Sequence, residues 1–559
     1  MANLKKTKTL FGFTSPRTLE KIVPEIKLLT EKYKGKVWNV QVQVDFFKEL
    51  FNSEFYEGGK MPGNVSLATR DRITRAPKSL GFVDLKPVIQ ITEAGAALLT
   101  EKRLHETFTR QLLKFQLPSP YHKLTVEQFF VKPYLEFLRL AVTVEWLSKS
   151  EVALFFLQLT HIDKFDLVVQ KINAFRANAK NFKGSRKSYV HGCFEKEIQQ
   201  IFQAEIEKND FKTRESEDPS LKKFLKTKRS NMIDYADAFI RYMRATQLIT
   251  FEPKTYRIVI PSTKADDVNY ILASIPREPA LFKNETAFKS YLFSPSNISL
   301  LPDSNEMLLG KLQKLGATIS PSLSIEQLKD LLEQAEERAR QQKIEETQEA
   351  LKDYKDYDDI IEVFSRIAKR EMPDPPLYLE WNVWRAMTML NYANYVNGNF
   401  RIDTDGVPLS TAQGNMPDME IEYDDFKLIM EVTTSTGNTQ YNMEGEPVAR
   451  HFGNIQLQSQ KPVFCLFLAP QISSGALAHF FNLNRLHTKA YGGKTRIIPM
   501  NLNHFIGFVS TAKRLGFNNS SLLFHYLNSL IAINLEGAKD EEDWFNAIKE
   551  TIPVWATIS

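Results

Sequence analysis

Cysteine is scarce in this chain: 2 among 559 residues, Cys193 and Cys465, far apart in sequence. That excludes a disulfide framework and a cysteine-based zinc site, and a reducing cytoplasm is the expected compartment. Long apolar runs are missing too. The longest, residues 463–470, has eight members, well short of the roughly 20 a membrane-spanning helix needs. The basic start, Met1-Ala2-Asn3-Leu4-Lys5-Lys6-Thr7-Lys8, is followed by no apolar stretch of signal-peptide length. No glycine-rich phosphate loop is present, which argues against an ATP-driven motor, and no Gly-x-Ser-x-Gly nucleophile elbow.

What the chain has in quantity is ordinary globular material, 43% hydrophobic and 25% charged residues, enough for about three or four domains. Its net charge of +5 conceals an asymmetry. Residues 1–280 carry 46 Lys and Arg against 32 Asp and Glu, and the remainder carries 26 against 35. A basic half predicts a polyanionic partner and an acidic half predicts a different task.

The basic half reads as helices followed by short hairpins. Residues 16–33 predict a helix with Ser15 as N-cap and Pro16 at its first position; Leu19, Ile22, Val23, Ile26 and Leu29 share one face. Helices are expected over 43–51 and from about 66, the latter carrying Arg70, Arg72 and Arg75 before Pro77. Residues 82–91 alternate like a hairpin, and a helix follows from Thr92. Three helices and a hairpin are the winged-helix order, a helix-turn-helix variant. Arg70, Arg72, Arg75 and Lys78 fall where a recognition helix would lie, and arginine suits guanine edges and phosphates. The alternative is a solvated helix face on which Arg72 or Arg75 pairs with Asp71 or a nearby glutamate. Arg17, Lys114, Lys123, Arg241 and Arg244 are further phosphate-contact candidates. Residues 121–280 repeat the style, with helices over 134–147, 149–159, 163–175 and 234–246 and a hairpin over 248–260 turning at 252–255. Gly310, Gly316 and Ser320-Pro321-Ser322 mark a break. A charged helix over 324–352 follows, with a narrow stripe of Leu328, Leu331, Leu332 and Ala335. It reads as a linker.

From about residue 360 the pattern becomes helix, strand, strand, helix, strand, helix, a mixed α/β core. A helix is expected over 379–390, a buried strand over 463–468 and a short strand over 497–500. Asp418, after Pro417, opens one β-like segment, and Glu431 ends the next, thirteen residues on. A tight turn at Tyr423-Asp424-Asp425 would bring the two carboxylates together, a geometry suited to Mg²⁺. Asp418 and Glu431 would hold the ion, with the Val432 carbonyl as a third oxygen; Glu380 and Glu444 point toward the same cleft in this reading. The chemistry is metal-assisted hydrolysis of a phosphodiester. Glu420, Glu422, Asp424 and Asp425 read as solvated; His451 and His479 are candidate general bases, although histidines in such positions are more often structural.

Motifs along nearly the whole chain carry a family resemblance. They are Ser15-Pro16-Arg17-Thr18, the run from Arg70 to Lys78, the run from Leu113 to His122 and Asp234-Tyr235-Ala236-Asp237-Ala238. In the second half they are the run from Leu379 to Ala386, Pro417-Asp418, Glu431-Val432-Thr433, Asn442-Met443-Glu444-Gly445 and Tyr491-Gly492-Gly493-Lys494. Together they resemble the type IIS restriction and nicking endonucleases of the AlwI group, in particular the branch of PleI, MlyI and the BstNBI-type nickases, MlyI above all. The resemblance implies a multidomain α+β / α/β prokaryotic cytoplasmic protein. Winged-helix-like DNA-recognition subdomains would occupy 1–120 and 121–285, a helical linker 286–358 and a PD-(D/E)xK endonuclease core 359–559. It implies an active-site set of Glu380, Asp418, Glu431, Val432 and Glu444, with Mg²⁺ as cofactor. The partner it implies is double-stranded DNA, which would be cut a few base pairs outside a short asymmetric site, GAGTC. A double-strand break then needs a homodimer or a second nuclease subunit. The lysine the superfamily places two residues after the second acid is here Thr433, so transition-state charge falls to a second metal or to Gln440, Lys461 or Arg450. A DNA-binding regulator with an inert C-terminal domain is the alternative.

Overall fold

Pro24 decides where the first helix begins. A proline inside a helix clashes with the carbonyl four residues earlier and offers no N–H, so a helix running from residue 16 would break there. The computed structural model describes residues 7–557 other than 17, 19, 20, 54, 57–59, 123, 214, 318, 320–322, 353, 404 and 413–415. In it α1 spans Ile22–Tyr33, which puts Pro24 harmlessly in the first turn, and Ser15 and Pro16 form a bend rather than a helix start. Arg17, Leu19, Lys123, Asn415, residues 320–322 and the first six residues of the basic start lie outside the described residues.

The chain divides into two compact units, Met1–Asn52 with Pro62–Leu332, and Ser53–Met61 with Glu333–Ser559. In the first, α2 (Val40–Phe51) starts earlier than its apolar pattern suggests because the Asn39 side chain accepts from Val42 N. Asn64 caps α3 (Val65–Ile73), and the single turn α4 (Ala76–Ser79) follows. The strands β1 (Val83–Asp84) and β2 (Gln90–Ile91) pair antiparallel, and Thr92 caps α5 (Glu93–Leu99).

Next come α6 (Leu104–Lys114), α7 (Pro133–Val144) and α8 (Lys149–Leu154), the last opened by a Ser148/Glu151 capping box. The hairpin of α9 (Phe165–Asn181) and α10 (Arg186–Ile201) leads to α11 (Gln203–Glu207). The following helix, α12 (Leu221–Ala245), begins well before the expected residue 234, because Ser220 caps a lysine-rich stretch that lacks an apolar signature. The pair β3 (Thr250–Phe251) and β4 (Ile258–Val259) forms the expected second hairpin. The unit is completed by α13 (Ala265–Ser274), α14 (Glu285–Phe293), α15 (Asn305–Lys314) and the start of α16 (Ile325–Leu351). Ion pairs from Arg103 to Glu326 and Asp330, and from Lys329 to Glu106 and Asp303, tie that start to the first unit.

In the second unit, α17 (Tyr357–Ala368) and α18 (Pro375–Leu390) precede β5 (Tyr395–Gly398) and the short pair β6 (Arg401–Ile402) and β7 (Pro408–Ser410). The main sheet is completed by β8 (Met419–Glu422), β9 (Lys427–Val432), β10 (Val463–Ala469) and β11 (Ile497–Asn501), with α19 (Gly437–Gln458) and α20 (Ser474–Arg485) between its later strands. The strand order is β11-β10-β9-β8-β5, the first three parallel and the last two antiparallel. After β11 come α21 (Leu502–Leu515), α22 (Ser520–Ala532) and α23 (Glu541–Thr551).

The apolar run of β10 follows from this topology: flanked by parallel strands and covered on both faces, it has no solvated side. On one face Ile429, Cys465, Phe467 and Ile497 form a core with Val448 and Phe452 of α19 and Phe480 of α20. On the other, Phe464 meets Phe524 of α22 at 5.9 Å. Each fully buried side chain of this size contributes about 1.5–3 kcal/mol. Among the described residues no helix is long and apolar enough to cross a membrane.

Candidate functional site

The β8–β9 turn builds the site. Tyr423 N donates to the Phe426 carbonyl at 3.0 Å, and the two rings stack at 4.4 Å, which locks the hairpin. The register pairs Glu422 with Lys427 and Met419 with Met430. One step further, it sets Asp418 opposite Glu431, and directly opposed Cβ atoms in such a pair lie roughly 4.5–5.5 Å apart. Val432 N donates to Asp418 Oδ2 at 2.7 Å, and Asn399 N to the Asp418 carbonyl at 3.0 Å, so both the side chain and its backbone are held.

Glu431 lies on the face covered by α19, where its Oε1 meets His451 Nδ1 at 2.7 Å; the two residues are 6% and 9% exposed. Glu380, 5% exposed on α18, accepts from Ala412 N at 2.9 Å. Glu444, on α19, accepts from Ser435 Oγ at 3.3 Å, and Ser435 Oγ accepts from Thr433 Oγ1 at 2.9 Å. Thr433 therefore supports Glu444 through a hydroxyl relay. Sequence reasoning missed Ser435; its only signal was the hydroxyl-rich run Thr433-Thr434-Ser435-Thr436 directly after the second acid.

These carboxyls perturb one another. Burial raises Glu380 well above the usual carboxylate range, and repulsion from Asp418 adds to it. Asp418 keeps some contact with solvent, yet burial is again the first cause of a strongly raised pKa, followed by Glu431, while the Val432 N–H opposes. Glu431 is raised by burial and then by Glu444; Arg450 opposes. Burial pulls His451 down to about 4. The His451–Glu431 contact is thus made by a neutral imidazole, and His451 Nε2 is buried without a partner among the described residues.

Gln440, Lys461 and Arg450, the side chains expected to meet transition-state charge, differ in their partners. Gln440 is fully buried and committed to backbone: its Nε2 bonds Ser435 O at 3.0 Å and Gln471 O at 2.9 Å, and its Oε1 accepts from Ser473 N at 2.7 Å. Lys461 bonds Glu422 Oε1 at 2.8 Å and Tyr423 O at 2.9 Å, at the turn end of the hairpin. Four residues of strand, roughly 13 Å, separate that end from Glu431. Arg450 pairs with Glu446 at 3.3 Å, and its charge also acts on Glu431. His479 packs against Tyr441 and Phe480, with ring centroids at 5.6 and 5.5 Å.

The basic candidates of the first unit also sort by partner. Arg70 is exposed on α3. Arg72 donates to Glu25, which is 1% exposed, and Arg75 pairs with Asp71 at 2.9 Å. The ammonium of Lys78 sits 4.3 Å from the centre of the Tyr121 ring. Arg241 pairs with Asp237 at 3.6 Å, and Arg244 is buried against Phe251.

Lys114 departs from expectation. It is fully buried, with Nζ donating to Leu292 O at 3.1 Å and Ser294 O at 2.6 Å, so it cannot reach a phosphate from this position. Burial pulls its ammonium down to about 7. The unfolded chain then holds the extra proton more tightly, and the penalty for burying it, full below pH 7, is relieved as pH rises toward 10.5. Lys114→Ala is expected to lower stability by about 2–4 kcal/mol at neutral pH, through a cavity and the lost donor to the Ser294 carbonyl, while Leu292 O keeps its bond from Gln111 Nε2 at 2.9 Å. Thermal denaturation checks this, and an unchanged melting temperature would contradict it.

The chain was compared with known proteins. No curated protein matches it. Among solved structures it resembles the small subunit (R.BspD6I2) of the heterodimeric restriction endonuclease R.BspD6I, at 24% identity and a TM-score of 0.31 over 35% of this chain and 98% of that one. It also resembles the BpuJ1 endonuclease binding domain, solved in complex with pyrene- and phenanthrene-modified DNA, at 17% identity and a TM-score of 0.34 over 52% of this chain and 96% of that one. The reading of the site rests on neither. A sequence model of the AlwI restriction endonuclease family matches residues 78–508, and on that match the chain belongs to the AlwI restriction endonuclease family.

Proposed function

We propose that this family member is a type IIS endonuclease of the MlyI-like branch that hydrolyses DNA phosphodiester bonds, with Mg²⁺, a few base pairs outside GAGTC. Recognition would fall to residues 1–285 and cleavage to 359–559, in the cytoplasm of a prokaryote. The observation that carries this reading is the placement of Asp418 opposite Glu431 at the open end of an antiparallel pair, within electrostatic reach of Glu380 and Glu444.

The donor set fits a hard divalent cation. Carboxyls driven this far above their usual range are ones a cation would return to the ionised form. Among the described residues no three His, Cys, Asp or Glu side chains form a ready metal-binding group. Mg²⁺ is commonly held by one or two carboxylates and keeps several waters. Asp418 and Glu431, with the Val432 carbonyl, would hold it; when bound it would polarise the phosphate and lower the pKa of a water. The Val432 N–H aims Asp418, neutral His451 orients Glu431, and the Thr433–Ser435 relay orients Glu444. A regulator with an inert second unit has no use for so many mutually repelling carboxyls.

Arg450 is assigned the positive charge that Thr433 cannot supply. Arg450→Ala is expected to slow cleavage by about 10²-fold, and Lys461→Ala by no more than about twofold, since Lys461 is occupied at the turn. Single-turnover cleavage rates of both variants check this. One such site cuts one strand, so a double-strand break would recruit a second copy or another nuclease subunit. The direct test is incubation with Mg²⁺ and a plasmid carrying GAGTC, beside an EDTA control, with ends mapped on both strands. Ends at a fixed offset support the reading; an intact plasmid overturns it.

A further inference from the structure

Trp146 is held between two arginines. The guanidinium carbon of Arg176 lies 3.5 Å from its ring centre and that of Arg257 lies 4.0 Å away. Two such groups so close to one ring must occupy opposite faces. The arrangement is set by backbone: Leu147 and Ile258 exchange hydrogen bonds of 2.9 and 2.7 Å, which brings Arg257, at the end of the β3–β4 hairpin, beside Trp146.

The two arginines differ in what they do next. Arg176 is fully engaged, bonding Glu151 Oε1 at 2.7 Å, Val144 O at 3.0 Å and the Trp146 carbonyl. Arg257 is exposed and, among the described residues, has no ion pair or side-chain hydrogen bond. Its guanidinium is therefore fixed in direction by stacking while its donors remain unused. A planar donor fork prepared in this way loses little rotamer freedom on meeting an oxyanion.

The charge continues along α9. Lys180 lies one turn beyond Arg176 and so on the same side of the helix. At the α9–α10 tip, Lys183, Arg186 and Lys187 are exposed and carry no ion pair among the described residues. Residues 167–194 contain six Lys and Arg and no Asp or Glu. The acids of the flanking segments are Glu151, engaged by Arg176; Glu197, engaged by Lys171; Glu195, beside His191; Glu252, whose carboxylate accepts from Thr255; and exposed Glu145.

We propose that this ridge, from Arg257 over Trp146 to the tip at Lys183, Arg186 and Lys187, binds the DNA backbone, with Arg257 as a preorganised phosphate contact. None of these residues belongs to the α3 helix or the carboxylate site, and the inference rests on the DNA-binding reading above. Each phosphate neutralised on duplex DNA contributes about 0.9 to the slope of log K against log salt.

The test uses the full chain and fluorescence anisotropy with two short duplexes, one carrying GAGTC and one without it, across a salt series. Arg257→Ala is expected to weaken both duplexes by the same factor, about tenfold at low salt, and to reduce the slope by about 0.9. Arg257→Lys is expected to retain the slope while losing part of the affinity. Joint replacement of Lys183, Arg186 and Lys187 by Ala is expected to reduce the slope by about 2–3. Weakening confined to the GAGTC duplex, with the slope unchanged, would make Arg257 a base reader and overturn the phosphate assignment. Unchanged affinity in Arg257→Ala, with an unchanged melting temperature, would overturn the ridge. Failure of the wild-type chain to bind either duplex would instead remove the DNA-binding reading beneath it.

Discussion

Asp418→Asn is expected to lower the cleavage rate by about 10³-fold or more while leaving affinity for a GAGTC duplex within about twofold. Asparagine keeps the volume and can still accept from Val432 N, so the hairpin and its register survive. What is lost is one of the two carboxylates that face each other across the strand pair. The same change is expected to raise, not lower, the melting temperature without Mg²⁺. The carboxyl of Asp418 is held well above its ordinary value by burial and by Glu431. Its folded-state preference for the proton means that stability falls as pH rises through that raised value. A neutral amide has no such dependence. Added Mg²⁺ is then expected to raise the melting temperature of the wild type, since an ion that binds only the folded state stabilises it, and to have little effect on Asp418→Asn. Melting curves with and without Mg²⁺, beside gel-based rates and anisotropy, decide this. A variant that still cuts at the wild-type rate would remove Asp418 from the site, and loss of binding as well would break the separation of recognition from cleavage.

Arg72→Ala is expected to cost about 3–5 kcal/mol of stability, where its sequence position on α3 suggested a base contact. Arg72 Nε donates to Glu25 Oε1 at 2.9 Å, and Glu25 is 1% exposed with its other oxygen buried and, among the described residues, unbonded. Removing the guanidinium leaves that α1 carboxylate buried, with only the weaker charge of Lys21 acting on it. Arg70→Ala, on the same helix but exposed, is expected to change stability by less than about 0.5 kcal/mol. Replacing Glu25 and Arg72 together by methionine is expected to recover most of the loss, because apolar side chains of similar size often substitute for a buried pair. Denaturant titrations of the three variants test this. If Arg72→Ala and Arg70→Ala unfold at the same midpoint, the buried pair has no structural weight and Arg72 returns to the DNA-contact candidates.

The contrast between Arg70 and Arg72 shows where local reading stops. Both are basic residues near the end of one helix, and nothing in the local pattern says that Glu25, 47 residues earlier, packs beneath one of them. Lys114 failed for the same reason: its partners, the carbonyls of Leu292 and Ser294, lie 178 and 180 residues away. The start of α1 differs for a local reason: the apolar periodicity runs across Pro24, which acts as a barrier to a helix begun at residue 16.

The sequence by itself determined what depends on neighbours in the chain. Alternation and a tight turn defined the β8–β9 hairpin and so the pairing of Asp418 with Glu431. The all-apolar run of β10 required a strand covered on both faces, and the family motifs placed Glu380 and Glu444 beside the pair. Only the tertiary structure decided which charges are available for work. It committed Gln440 to backbone carbonyls and Lys461 to the turn, and it buried Arg72 and Lys114 inside the first unit. It also set His451 against Glu431, and stacked Arg257 on Trp146 with its donors unused. The physical reason is range. Periodicity and turn chemistry act over a few residues, whereas the energy of a charged side chain is set by burial and by partners that the fold brings in from anywhere in the chain.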